Sequence, residues 1–97
     1  MIVTSIESIA RSLGITVEEA ERRALHALIR EELRCVRAEK ATILARYGVR
    51  GFDELWRKIE EGAIDDTIAH DDIVRLDYLE HREKELEELL RELEGNE

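Results

Sequence analysis

Proline and glutamine are absent from this chain, asparagine occurs once (Asn96), cysteine occurs once (Cys35), and only four side chains are aromatic. Each scarcity excludes something. A single cysteine cannot close an intrachain disulfide, so the chain is not a small disulfide-stapled scaffold. Beside Val36 in a helical run, Cys35 reads as an inert, partly packed thiol. No stretch approaches the roughly 20 apolar residues that a membrane span requires. The first residues lack a basic region followed by an apolar run, so no signal peptide is expected and the cytoplasm is the expected location. There is no glycine-rich phosphate loop and no lysine in a phosphate-binding motif. The paucity of amides, with many Glu, Arg and Ile, follows the composition of thermophilic proteins.

What fills the chain instead is charge. Of the 97 residues 40% are charged, and the formal net charge is −9. The imbalance is one-sided. Residues 1–50 carry nine bases against seven acids, and residues 51–97 carry six bases against seventeen acids. An acidic surface of this kind repels phosphate and favours basic partners. A chain this short also buries a smaller share of its surface than a large one, which makes a homo-oligomer the expected state.

Apolar residues return at helical spacing nearly throughout. Met1–Val3 form a lead-in or a very short strand. Thr4 is placed to cap a first helix, with Glu7 reaching back to it. Ile6, Ile9, Ala10 and Leu13 share one face of that helix, and Gly14 closes it. Thr16 and Glu19 make a second capping box. Neither Gly nor Pro then occurs before Gly48, which predicts one helix of about 31 residues, roughly 46 Å long. Its expected apolar stripe is Leu25, Leu28, Ile29, Val36, Ile43, Leu44 and Tyr47, broken by Glu32 and Glu39. A short helix follows with Phe52, Leu55, Trp56 and Ile59, ended by Gly62; Phe52 and Trp56 are expected to plug the core. An acidic loop over Ala63–Asp72 presents Asp65, Asp66, Asp71 and Asp72. The last helix is expected from near Asp71 to Leu93. Leu76, Leu79, Leu86, Leu90 and Leu93 occupy heptad a and d positions there, interrupted by Glu83.

The expected fold is therefore all-α: a small, dimeric helical bundle with one long helix and a heptad-like C-terminal helix. Residues 1–47 and 48–97 form its two parts within one cooperative unit. Phe52, Trp56 and the five leucines of the last helix are the expected partner-binding or dimerisation residues.

Chemistry finds little purchase. The histidines, His26, His70 and His81, do not follow the Glu-x-x-His pattern of carboxylate-bridged metal bundles. Asp66/His70 and Asp77/His81 are i,i+4 pairs, accounted for as surface pairs. His26 lies nine residues from Cys35, about 13 Å along a helix, too far for a thiolate and its base. No catalytic residue, metal site or cofactor is expected. For nucleic acid, helix–Gly14–helix has helix-turn-helix spacing, but Glu18, Glu19 and Glu21 would lead the second helix towards phosphate. Arg22, Arg23, Arg30 and Arg34, with Arg37 and Lys40, form a basic section. It either touches nucleic acid weakly or neutralises nearby acids.

Two family resemblances attach to these motifs. Ile6–Leu33, centred on Leu13-Gly14-Ile15-Thr16-Val17-Glu18-Glu19-Ala20, resembles the helix pair of ribbon-helix-helix proteins, whose preceding strand reads the DNA major groove as half of a dimeric ribbon. Tyr47–Leu93 carries Tyr47-Gly48-Val49, Phe52-Asp53-Glu54-Leu55, Gly62 with Asp65-Asp66, and a closing Leu/Glu helix. It resembles short helical antitoxin components of prokaryotic toxin–antitoxin pairs. That resemblance implies a non-catalytic module that neutralises a basic partner, commonly a nuclease; the alternative is a homodimeric DNA-binding regulator using the first half.

Overall fold

The computed structural model describes residues 5–95, which form α1 (Ile6–Leu13), α2 (Val17–Tyr47), α3 (Phe52–Glu60) and α4 (Asp66–Gly95). Among the described residues there is no strand. The proposed ribbon residues Met1–Val3 lie outside them, as does Thr4. The ribbon-helix-helix resemblance is thereby corrected: two helices around a glycine arise from capping alone, and the helix that follows Gly14 runs on as half of a long hairpin.

Local chemistry sets the helix ends. Ser5 caps α1, its Oγ accepting the Ser8 amide at 3.2 Å. Thr16 Oγ1 caps α2 by accepting the Glu19 amide at 3.0 Å. Gly14 and Gly48 close α1 and α2 in the left-handed region, at φ 70° and 63°, where a Cβ would be strained. α3 has no cap of its own; Glu80 of α4 reaches across and accepts the Phe52 amide at 2.9 Å.

α4 begins at Asp66, five residues before the expected start near Asp71. Asp65 explains the difference. Its Oδ1 accepts the Thr67 amide at 2.8 Å and its carbonyl accepts from Ala69, so the supposed loop opens with a cap and winds directly into helix. Asp66, Asp71 and Asp72 therefore lie on a helix, not in a loop.

α2 and α4 run antiparallel along their lengths. His26 meets Glu94 at one end, Arg37 meets Glu83 in the middle, and Arg46 meets Asp72 at the other. The seam between them is apolar: Leu33, Val36 and Ile43 from α2 against Ile73, Leu76, Leu79 and Leu86 from α4, with Val49 and Leu55 sealing the turn end. Leu55, Leu76 and Leu79 are the largest fully buried side chains, each contributing ~1.5–3 kcal/mol by leaving water. Polar residues also sit on this 3–4 seam. On α2 it reads Ile29, Leu33, Val36, Lys40, Ile43, Tyr47; on α4 it reads Asp72, Leu76, Leu79, Glu83, Leu86, Leu90. Lys40 meets Glu83 at 2.7 Å, and the Tyr47 hydroxyl donates to Asp72.

α1 packs on α2, where Ala10 and Ala20 allow close approach, and α3 packs on α4. The result is a long thin slab, 60 × 35 × 16 Å, with a radius of gyration of 19.4 Å. A compact chain of this length has a radius near 12–13 Å. The structure establishes the all-α architecture with long helices.

Candidate functional site

Of the expected aromatic plug, Phe52 packs against the core and Trp56 does not. Leu55, fully buried, holds the core position, while Trp56 is 47% exposed and Phe52 half-buried. One short helix cannot aim Leu55 and Trp56 equally inward, because adjacent residues diverge by about 100°. Phe52 and Trp56 instead stack on each other, ring centroids 6.2 Å apart and planes 8° from parallel. They form one wall of a groove of about 390 Å³, completed by Asp66, His70, Ile73, Val74 and Asp77 of α4. The floor is apolar, both carboxylates are exposed, and neither Lys nor Arg lines the groove. Exposed carboxylates around an aromatic face suit a cation resting on the ring.

The leucine stripe has a different occupation. Leu76, Leu79 and Leu86 are buried against α2 within the same chain, and Leu90 and Leu93 are half-buried. They hold the hairpin closed. A heptad stripe indicates a helical neighbour without saying whether that neighbour is the same chain.

The acidic residues also divide. Asp66 borders the groove, Asp65 caps α4 and Asp71 is exposed. Asp72 is engaged: Tyr47 donates to it, and Arg46 lies 2.7 Å away. The Tyr47 hydroxyl, then Arg46, hold the Asp72 carboxyl below its ordinary range. The same hydrogen bond, aided by burial, pushes the Tyr47 hydroxyl up. At the centre of the seam Lys40, then Arg37, hold the Glu83 carboxyl down.

The basic section is matched largely by neighbouring acids. Arg22 and Arg23 both reach Glu19, at 2.8 and 2.9 Å, and Arg34 reaches Glu31 at 2.7 Å. These arginines hold the Glu19 and Glu31 carboxyls below their usual range. Arg37 bridges to Glu83 and Glu87. Arg30 is exposed, beside a shallow opening with Leu33 and Leu90. Glu19 thus turns from the expected capping box towards two arginines.

Cys35 is exposed on α2, its Sγ 3.7 Å from Glu31 Oε1. His81 stands beside Asp77, with Nδ1 2.8 Å from the Asp77 carbonyl oxygen. Among the described residues no group of three His, Cys, Asp or Glu side chains is arranged to hold a metal ion. Among the same residues no helix is long and apolar enough to cross a membrane.

The groove is hard to see in the sequence because the expected loop over residues 63–72 separates Asp66 and His70 from Val74 and Asp77. Their 3–4 spacing was visible once a helix start at Asp65 was allowed.

Comparisons with known proteins give no solved structure that matches. A curated relative from Methanocaldococcus jannaschii, described as "Uncharacterized protein MJ0235", is 35% identical over 63 residues, covering 65% of this chain and 77% of that protein. These findings correct the antitoxin resemblance: the shared Tyr-Gly-Val and Phe-Asp-Glu-Leu pieces are a helix end and a helix start, which unrelated helical proteins also need. The match that spans residues 1–97 is to a different group, and the chain belongs to the family described as the Uncharacterized protein MJ0235 family.

Proposed function

We propose that this protein is a non-catalytic binding module whose Phe52–Trp56 groove receives a cationic, apolar segment of another protein. The observation that carries the reading is the half-exposed aromatic stack, bordered on the groove side by Asp66 and Asp77 with neither Lys nor Arg in the groove lining. Leaving an indole in water forgoes burial that is otherwise available to it, and aromatic anchors in pockets dominate many interfaces. The acidic character of residues 51–97 extends the attraction beyond the groove and favours fast, salt-sensitive encounter with a basic partner.

Trp56 is the chain's only tryptophan, so its emission reports on the groove directly. Titration with an amphipathic Arg/Leu peptide is expected to shift that emission to the blue and saturate. A Glu/Leu peptide of the same length should have no effect. The paired substitution Asp66→Asn and Asp77→Asn should weaken the Arg/Leu peptide about tenfold. Equal responses to both peptides, or an unchanged emission with either, overturns the reading.

A nucleic-acid role for the first half draws less support. Arg22, Arg23 and Arg34 already bind carboxylates, and phosphate would have to displace them. Anisotropy of a labelled DNA duplex is expected to remain flat at moderate salt. Binding that disappears on Arg22→Ala and Arg23→Ala, with a steep salt slope, would instead establish a DNA contact.

A further inference from the structure

The two faces of the α2–α4 hairpin differ. Arg37 and Lys40 meet Glu83 on the face that α3 shares, since Lys40, Phe52, Glu80 and Glu83 border one opening there. Glu39, two positions from Arg37 and so about 200° around the helix, points to the other face. There it pairs with Arg75, whose guanidinium Nη2 lies 2.8 Å from Glu39 Oε1 and whose Cζ lies 4.9 Å from the Tyr78 ring centre.

That pair joins two further stripes. On α2, residues 25, 28, 32, 35 and 39 recur at 3–4 spacing; on α4, residues 75, 78, 82, 85 and 89 do the same. Among them Leu25, Leu28, Tyr78 and Leu89 are 46–59% exposed. Charged residues alternate with these four along both stripes, and the four exposed apolar side chains widen the apolar sector of each helix beyond the seam, as in a bundle helix rather than an isolated pair.

We infer that this face is covered by a second copy of the chain, two hairpins closing into a four-helix bundle. Charge selects the occupant. The chain carries −9 overall, yet this face is closer to balance: Glu32 and Glu39 on α2, and Arg75, Arg82 and Glu85 on α4, where Arg82 lies 3.5 Å from Glu85. A two-fold axis parallel to the helices sets each α2, with its two acids, over the partner's α4, where bases outnumber acids. It also brings Leu28 and Leu89 together at one end. The other two-fold arrangement runs α2 antiparallel over the partner's α2, acids against acids, and is disfavoured. The size also suits a stable dimer. Two helices of ~45 Å, side by side over ~20 Å, cover ~900 Å² per copy, against ~800 Å² in ordinary specific interfaces. The Phe52–Trp56 groove is lined by α3 and the α3 side of α4, with Val74 of its lining one turn from Tyr78; the inference does not rest on the proposed function.

Light scattering and sedimentation equilibrium on the full chain are expected to give twice the chain mass. Leu28→Asp and Leu89→Asp, both at exposed positions, should each raise the dimer dissociation constant about 30-fold or more, with the helical circular dichroism spectrum retained. Glu32→Arg and Arg82→Glu should each weaken the dimer, and the two together should restore it. A monomer at the highest attainable concentration overturns the inference. So does a dimer indifferent to Leu28 and Leu89, or a charge exchange that fails to restore association.

Discussion

Replacing Leu76 with alanine is expected to remove about 2–5 kcal/mol of folding free energy, a large part of what a small domain has. Leu76 is fully buried at the closed end of the hairpin, where α2, α3 and α4 meet. Truncating it removes packing within the core cluster and leaves a void that the surrounding helices fill only by shifting. Leu79→Asp is a harsher change, because it places a carboxylate with no partner in the same seam; the chain is expected to be largely unfolded. Urea denaturation followed at the helical circular dichroism band measures both. Leu89→Ala, on the uncovered face, serves as the comparison and is expected to stay within about 0.5 kcal/mol in dilute, monomeric solution. Equal losses for Leu76 and Leu89 would mean that α2 and α4 are not packed in this register.

The second large effect is electrostatic and tied to pH. Glu83→Ala is expected to cost about 1.5–3 kcal/mol. The side chain is only 17% exposed, accepts from Lys40 at 2.7 Å and from Arg37 at 3.0 Å, and would leave Lys40 without its partner in the seam. Its carboxyl is depressed in the folded state by Lys40 and then Arg37. Asp72 is depressed by Tyr47 and Arg46, and Glu39 by Arg75. A depressed carboxyl means that the unfolded chain binds the proton more readily. The stabilisation is then complete above the unfolded value, about 4 for these acids, and is lost as pH falls through the folded values. Tyr47 acts at the opposite limit. Its hydroxyl is raised by Asp72 and by burial, so that contribution is whole below about pH 10 and disappears as the pH rises through the folded value. Thermal melts from pH 7 down to 3 should show a steep fall for the wild type and a shallower one for Glu83→Ala. Parallel curves would show that Glu83 titrates alike in both states.

The sequence announced its helices clearly because their ends are written in local chemistry. Gly14 and Gly48 stop α1 and α2 where expected, and the 31 residues of α2 match the unbroken run between Thr16 and Gly48. Boundaries slipped where two caps competed. Ser5 caps α1, and Asp65 starts α4 early because a run of aspartates reads equally well as a loop. The core was harder to read than the helices. Of the expected α2 stripe, Val36 and Ile43 are in the core and Ile29, Leu44 and Tyr47 pack against it, but Leu25 and Leu28 are exposed, while Leu33 and the Lys40–Glu83 pair sit on the seam unannounced. Ion pairing between residues more than 40 apart leaves no periodic trace. The same holds for the groove: whether Leu55 or Trp56 faces inward depends on where α3 lands on α4, and that is fixed by contacts such as Glu80 with the Phe52 amide. The arginines of α2 gave a basic signal whose cancellation by Glu19 and Glu31 was legible from their 3–4 spacing.

A hairpin sealed at one end and thin at the other should unzip in one direction. Val49, Leu55 and Leu76 lock the end nearest α3, whereas at the far end Leu25, Leu28 and Leu89 remain exposed. Amide protons of α2 near Ile43 should then outlast those near Leu28 in deuterated water, through partial openings that travel inward from the frayed end. In the unpaired chain such a gradient would let the far end sample separated arms while the region holding Trp56 keeps its shape.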